Sequence, residues 1–236
     1  MSHRKKQEQL MKDLKEYNWN LQREVWSLEF RRNETLLSIP TEQTVWTIAL
    51  EYFRIFRYGL NDTMETNYPY IWKFLSTAMT TDVTYESVCG HEAILNYWRL
   101  FSHYFDDIFV ELECLTKGNE ANTLLATTIM SVTISKNTLR RVFPHLIREE
   151  RSRLGLAAKL IDQQVVMRRL VLFKWNDKLK CVERIQSQAD MLTPLLQIVG
   201  SLESVSHVFE NALVTAECKL IPEISGDSRY WMQLMR

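Results

Sequence analysis

The spacing of apolar positions changes twice along this chain, and each change predicts a different kind of element. Between residues 2 and 39 there is neither glycine nor proline, so nothing in the backbone chemistry breaks a helix before Pro40. Within that run Leu14, Leu21 and Leu28 recur every seven residues, and Met11, Asn18 and Val25 stand three positions before each leucine. Such a repeat keeps one stripe of a helix turned towards a partner helix, so these six positions are the a and d seam of a short coiled coil over 1–36. From Thr41 the repeat becomes that of a helix packed on a core. Thr41 is placed to cap it, and Val45, Ile48, Ala49, Tyr52, Phe53 and Phe56 form its stripe, ending at Gly59. Further helices are predicted near 70–79 and 90–101, with the extended piece "DVTYESV" between them. The period then falls to two. "DDIFVELECLTKGNEANTLLATTIMSVTIS" alternates on both sides of a "KGNE" turn, and "RRLVLFKWNDKLKCVERIQSQ" makes a second hairpin across Asn176 and Asp177. A polar, helix-prone insert at 137–155 separates the hairpins, and helices at 191–199 and 202–213 close the chain. Helices first and antiparallel strands second predict an α+β domain over 41–236, its helices packed on one face of a curved sheet.

The seam carries its own specificity. Leucine at d with Val25 at a favours two parallel strands, and the amide of Asn18 finds a counterpart only in register and in a dimer. Each g position meets the e position five residues on in the partner, so Glu24 would face Glu29 twice in a homodimer. That repulsion predicts a preference for a related zipper with Lys or Arg at the matching positions. The repeat decays at Arg32 and Thr35, leaving about three heptads, the minimum for a coiled-coil reading. An amphipathic helix folded onto its own domain would show the same stripe.

Composition narrows the class without naming a chemistry. The 29 basic and 29 acidic residues balance to zero, which argues against a surface wholly dedicated to nucleic acid, yet Arg4, Lys5 and Lys6 concentrate positive charge at one end. The N-terminus is charged and no stretch approaches the roughly 18 unbroken apolar residues of a membrane span, so a soluble intracellular protein with no membrane partner is expected. Cys89, Cys114, Cys181 and Cys218 are widely separated, with no pair at zinc spacing, and are read as reduced and mostly buried thiols. No metal site and no cofactor are expected, since no Gly-rich phosphate loop, nucleophile elbow or His cluster occurs.

Upstream of Leu14, "HRKKQEQLMKDL" resembles the end of a bZIP basic region, in which an arginine precedes the first zipper leucine by ten positions, as Arg4 does here. The resemblance implies that Arg4, Lys5 and Lys6 contact DNA phosphates. The base-reading residue of that family would fall eight positions before Arg4, outside the sequence, so weakened sequence-specific binding is expected of this chain. The order of elements after Thr41 resembles the NTF2-like (SnoaL-like) fold. "TVWTIALEYFRIFRYG", "TLRRVFPHL" and "SQADMLTPLLQIVGSLESVSHVFENAL" resemble the large oomycete-type bZIP family, in which a zipper is joined to such a domain. What this implies is a nuclear transcriptional regulator whose partners are another bZIP chain, DNA, and a ligand or protein at the NTF2-like domain.

Because NTF2-like domains include enzymes with an acid-base pair, His103, Tyr104, Asp106 and Asp107 in "HYFDD", with His91 nearby, are the candidates to weigh. They fall at a helix-strand junction, where polar residues commonly cap or face water. Glu111 and Glu113 alternate with Val110, Leu112 and Cys114 as the solvated side of a strand. No catalytic residue is assigned, and the chain is expected not to be an enzyme. Two other readings compete: an NTF2-like enzyme or ligand-binding protein with an incidental N-terminal helix, and an inhibitory dimerisation partner that withholds one DNA-binding arm.

Overall fold

The computed structural model of the chain describes residues 2–37, 43–60, 68–148 and 151–221, and within these leaves aside the side chains at 2–5, 8, 15, 22, 26, 29–37, 148 and 151–154. Contacts divide the chain into two compact units, 1–42 and 43–236. In the first, α1 runs Ser2–Leu37. Its 36 residues correspond to a rod of about 54 Å at the usual rise of an α-helix.

The second unit begins with α2 (Val45–Ile55), which turns Ile48, Ala49, Tyr52, Phe53 and Ile55 inwards. Thr41, the expected cap, lies outside the described residues. The cap that forms is Thr44, whose hydroxyl accepts the Thr47 amide at 3.3 Å while Thr47 returns the contact to the Thr44 amide at 3.0 Å. Gly59 has a positive φ of 71°, and any side chain there would collide with Ser102. Then follow α3 (Tyr68–Ala78), β1 (Met79–Tyr85), β2 (Val88–Cys89) and α4 (His91–Tyr104). The first long hairpin is β3 (Asp106–Lys117) with β4 (Thr123–Ile134). The polar insert forms α5 (Lys136–Val142), α6 (His145–Arg148) and α7 (Arg151–Leu160). The second hairpin is β5 (Gln163–Asn176) with β6 (Cys181–Ala189), and α8 (Leu192–Val199) and α9 (Leu202–Phe209) come last.

The six strands form one sheet in the order β2-β1-β6-β5-β4-β3. All pairings are antiparallel except that of β1 with β6. The sequence shows its hairpins but not this parallel contact, because the two strands lie about a hundred residues apart. Register shifts interrupt β1, β3 and the β5–β6 ladder, and such bulges bend a sheet towards one side. The inward phase of β4 carries Leu124, Ala126, Met130, Val132 and Ile134, and that of β5 carries Val165, Met167, Val171 and Phe173, all buried. α2 and α4 lie on this concave side: Tyr52 meets Phe173 edge-on at 5.5 Å, and Phe56 stacks on Trp98 at 5.0 Å.

One expected element is shorter than its sequence pattern. α9 stops at Phe209 because Asn211 takes a left-handed conformation, and the Leu213 amide then bonds to the Val142 carbonyl at 2.9 Å. The chain beyond it closes a small turn, with Val214 bridged to Leu220, whose carbonyls at Ala216 and Glu217 accept the amides of Met191 and Ala189.

Candidate functional site

The seam residues predicted for dimerisation share one character in the single chain: they are exposed. Met11, Leu14, Leu21, Val25 and Leu28 have relative exposures of 57%, 53%, 41%, 44% and 52%, and Asn18 is exposed as well. Five large apolar side chains on one helical stripe, all open to water, make a surface that gains from being covered. Elsewhere on α1 Gln9 donates to Asp13 at 2.8 Å and Arg23 lies 5.7 Å from the Trp19 ring, while Leu10, Tyr17 and Trp19 are exposed like the stripe. Lys6 and Glu24 are exposed. The side chains of Arg4, Lys5 and Glu29 lie outside those described.

In the second unit the concave face holds a polar chain that the sequence reading missed. Arg169 belongs to the inward phase of β5 and is 3% exposed. Its Nη2 donates to Ser187 Oγ at 2.8 Å and to Tyr85 Oη at 3.4 Å, its Nη1 approaches Met130 Sδ at 3.9 Å, and its guanidinium lies 5.6 Å from the Trp98 ring. On one side the chain continues through Tyr85, which accepts from Tyr52 at 3.3 Å, while Tyr52 accepts from Trp98 Nε1 at 2.9 Å. On the other, Ser187 donates to Glu86 Oε1 through both its amide, at 2.7 Å, and its hydroxyl, at 2.6 Å. Lys219 on the closing turn meets Glu86 Oε2 at 3.2 Å.

No carboxylate among the described residues touches Arg169 directly, so its charge reaches Glu86 only through the Ser187 hydroxyl. Burial by itself would lower the guanidinium's pKa, but the oxygens of Tyr85, Tyr97 and Tyr52 around it raise it, and it stays a cation. The same burial pushes Tyr52, Tyr85 and Tyr97 above the usual phenol value. Beside them the Cys218 thiol is pushed up to about 12 by burial, with Arg169 pulling the other way. The signal for this site was present in "VVMRRLVLF". Alternation that faces Val165, Met167, Val171 and Phe173 inwards must also face Arg169 inwards, and a charged residue in the core phase needs a reason.

The junction cluster lies elsewhere. His103 is exposed at the end of α4 with its carbonyl accepting from Asn137 at 3.0 Å, Tyr104 is buried, and Asp106 and Asp107 are exposed. His91 opens the same helix, about 18 Å away along its axis, and is buried with Nε2 at 3.4 Å from the Met79 carbonyl. Glu113 pairs with Arg168 across the sheet at 3.4 Å. Cys181 and Cys218 are buried, but Cys89 and Cys114 are exposed, against the expectation of mostly buried thiols, and none forms a disulfide. Among the described residues no group of three or more His, Cys, Asp or Glu could hold a metal ion, and no described helix is long and apolar enough to cross a membrane.

Residues 46–104, which span α2 to α4, match the family model described as bZIP transcription factor 1 C-terminal domain. No curated protein matches the chain's sequence. Among solved structures, a SnoaL-like polyketide cyclase from Agrobacterium tumefaciens str. C58 is 17% identical, covering 63% of this chain and 92% of its own, with a TM-score of 0.39. An NTF2-like protein of unknown function from Exiguobacterium sp. 255-15 is 11% identical over 61% of this chain and 98% of its own, with a TM-score of 0.40. The epoxide hydrolase/cyclase-like enzyme SalBIII is 13% identical over 61% and 89%, with a TM-score of 0.36. The expectation that this chain is not an enzyme is corrected here, because enzymes stand among its structural neighbours. It rested on local patterns, the His103 to Asp107 cluster, the Glu111 and Glu113 alternation and the lack of short catalytic motifs, whereas the fold assembles its buried polar groups from residues as distant as Tyr52 and Ser187. At these identities and TM-scores the likeness assigns no reaction to the chain. The α+β unit with its mostly antiparallel, bulged sheet is similar in structure to SnoaL-like and NTF2-like domains, and its first three helices match a domain of a bZIP transcription factor.

Proposed function

We propose that the chain is a bZIP-related transcriptional regulator that acts in the nucleus, dimerises through Met11, Leu14, Asn18, Leu21, Val25 and Leu28 of α1, and uses the unit after it to receive a protein or ligand. The observation that carries this reading is the match of residues 46–104 to the C-terminal domain of a bZIP transcription factor, in a chain whose preceding helix bears an a/d repeat. The exposure of that repeat supports it, since an apolar stripe with an asparagine at one a position fits a parallel, in-register partner. Arg4, Lys5 and Lys6 then meet DNA phosphates and set register on the duplex. Glu24 opposite Glu29 steers pairing towards a zipper with Lys or Arg there, each relieved repulsion being worth about 0.3 kcal/mol.

The test places a thiol on the seam. In a Cys89→Ser/Cys114→Ser background, Asn18→Cys is introduced into the chain and into its Glu29→Lys version, and each is oxidised mildly. Crosslinking at position 18, stronger in the mixture than in the unmodified chain by itself, is the expected result. Absence of that crosslink in every combination would overturn the seam.

A further inference from the structure

The turn at 213–221 lies as a single layer of chain over Arg169. Val214 and Cys218 point inwards and are buried, while Glu217 and Lys219 are exposed, and Cys218 stands close enough to the guanidinium to feel its charge. The fastenings of this layer are mostly polar. The amides of Ala189 and Met191 donate to the carbonyls of Glu217 and Ala216 at 3.3 and 2.9 Å, the Tyr97 hydroxyl reaches the Cys218 carbonyl at 3.5 Å, and Lys219 meets Glu86 at 3.2 Å. Both sides of that last contact are strained. Glu86 has a φ of 52° and Cys218, next to Lys219, a φ of 58°, conformations that side chains other than glycine rarely hold. Strain of this kind persists where the surroundings enforce it, and it collects at parts that switch. A segment with few buried side chains and polar fastenings also belongs to the least stable end of a fold.

Beneath the turn, hydrogen-bond donors exceed acceptors. The guanidinium is a fork of N–H groups with no acceptor of its own. Among the described residues its oxygen partners, Ser187 and Tyr85, are both at Nη2, and Nη1 has only the Met130 sulfur. Tyr85 accepts from Arg169 and from Tyr52, which leaves its own proton without an acceptor among the described residues. The Tyr97 hydroxyl is held by the turn itself. A carboxylate supplies what is missing, since its oxygens fit the guanidinium fork and accept from both phenols. The rings of Tyr97 and Trp98 beside it suit an apolar body. We propose that the turn at 213–221 is a latch, and that a small carboxylic acid with an apolar body opens it by taking the position of Cys218 beside Arg169. This rests on the reading that the unit receives a ligand, and gives that ligand a class and a gate.

The experiment uses the full chain with Cys89→Ser/Cys114→Ser and follows alkylation of Cys218 by peptide mapping, against the rate of global unfolding read by tryptophan fluorescence. Lys219→Glu removes the attraction to Glu86 and adds a repulsion, so it should raise the Cys218 rate about fivefold. Benzoate, the probe, should raise that rate saturably. Its half-maximal concentration should be about fivefold lower in the Lys219→Glu chain, where the open form is more populated. Benzamide, of the same shape without the charge, should do nothing. Arg169→Met, its fold checked by near-ultraviolet circular dichroism, should abolish the response to benzoate, and the contrast of benzoate with benzamide holds independently of whether that variant folds. A Cys218 rate no faster than global unfolding in the Lys219→Glu chain overturns the latch. A rate that benzoate leaves unchanged, that benzamide raises equally, or that benzoate still raises in a folded Arg169→Met chain overturns the carboxylate site. With Asn18→Cys added to the same chains, the crosslink at position 18 reports the seam, so failure of the latch is not mistaken for failure of the regulator reading.

Discussion

The relay from Arg169 to Glu86 makes a quantitative prediction. Glu86→Ala removes the acceptor of two Ser187 hydrogen bonds, at 2.7 and 2.6 Å, and the ion-pair partner of Lys219 at 3.2 Å. Hydrogen bonds to a charged group are worth about 1.5–3 kcal/mol each, and water replaces part of that at a side chain near the surface. The half-exposed Lys219 contact adds little, about 0.5 kcal/mol. The expected cost is about 3–5 kcal/mol, much of it the penalty of leaving the Arg169 cation buried with only neutral company. For a unit of this size that lowers the melting temperature by roughly 6–20 °C. Arg169→Met keeps most of the side-chain volume against Trp98 and removes the buried charge, so it should cost less than Glu86→Ala. In the Arg169→Met background Glu86→Ala should in turn cost about 1–2 kcal/mol less than in the native chain. Urea unfolding followed by tryptophan fluorescence gives all four corners of the cycle. Additivity within about 0.3 kcal/mol would refute the relay, because two groups that do not sense each other through Ser187 would show no coupling.

Two further outcomes follow from the same interior. Burial raises Tyr52, Tyr85 and Tyr97 above the free phenol value, so the stability they lend is complete below about pH 10 and is lost as pH rises through their folded values. Absorbance at about 295 nm should therefore show these three ionising only with alkaline unfolding, and titration of all nine tyrosines near pH 10 with the fold intact would contradict their burial. With a thiol reagent Cys89 and Cys114 should react at once, while Cys181 and Cys218, the latter held near 12 and packed beside Arg169, should react only at the rate of opening. Fast labelling of Cys218, located by peptide mapping, would show that the closing turn from Val214 to Leu220 does not cover it.

Much of the architecture was legible because periodicity reports burial. The inward stripe of α2, both hairpins and their turns, the helical insert and α8 all follow from which positions are apolar. The strand phases of β4 and β5 were equally readable, and with them the inward position of Arg169, but a single strand does not show which groups meet a charge in the core phase. Three things lay beyond local pattern. The pairing of β1 with β6 depends on residues about a hundred positions apart. The Arg169 relay draws one side chain from each of several elements, so no short motif contains it. The latch emerges only when the fold is closed, since Glu86 and Lys219 are ordinary surface charges each within its own segment. The attention given to His103, Asp106 and Asp107 shows the converse: neighbours in sequence at a helix end face solvent.

The parallel contact between β1 and β6 also governs how this unit can be made. The segment that matches the transcription-factor domain, 46–104, contributes helices and the strand β1, but the strand that holds β1 in the sheet is not synthesised until residue 189. On the ribosome the earlier segment waits with its apolar helix faces and an unpaired strand edge exposed for as long as it takes to add some 85 residues. At about 5–20 residues per second that is roughly 4–17 seconds, long on the scale of collapse and strand pairing. The nascent chain must be shielded through that interval, and a fragment ending after α4 would carry the matched segment without the strands β3 to β6 on which to fold.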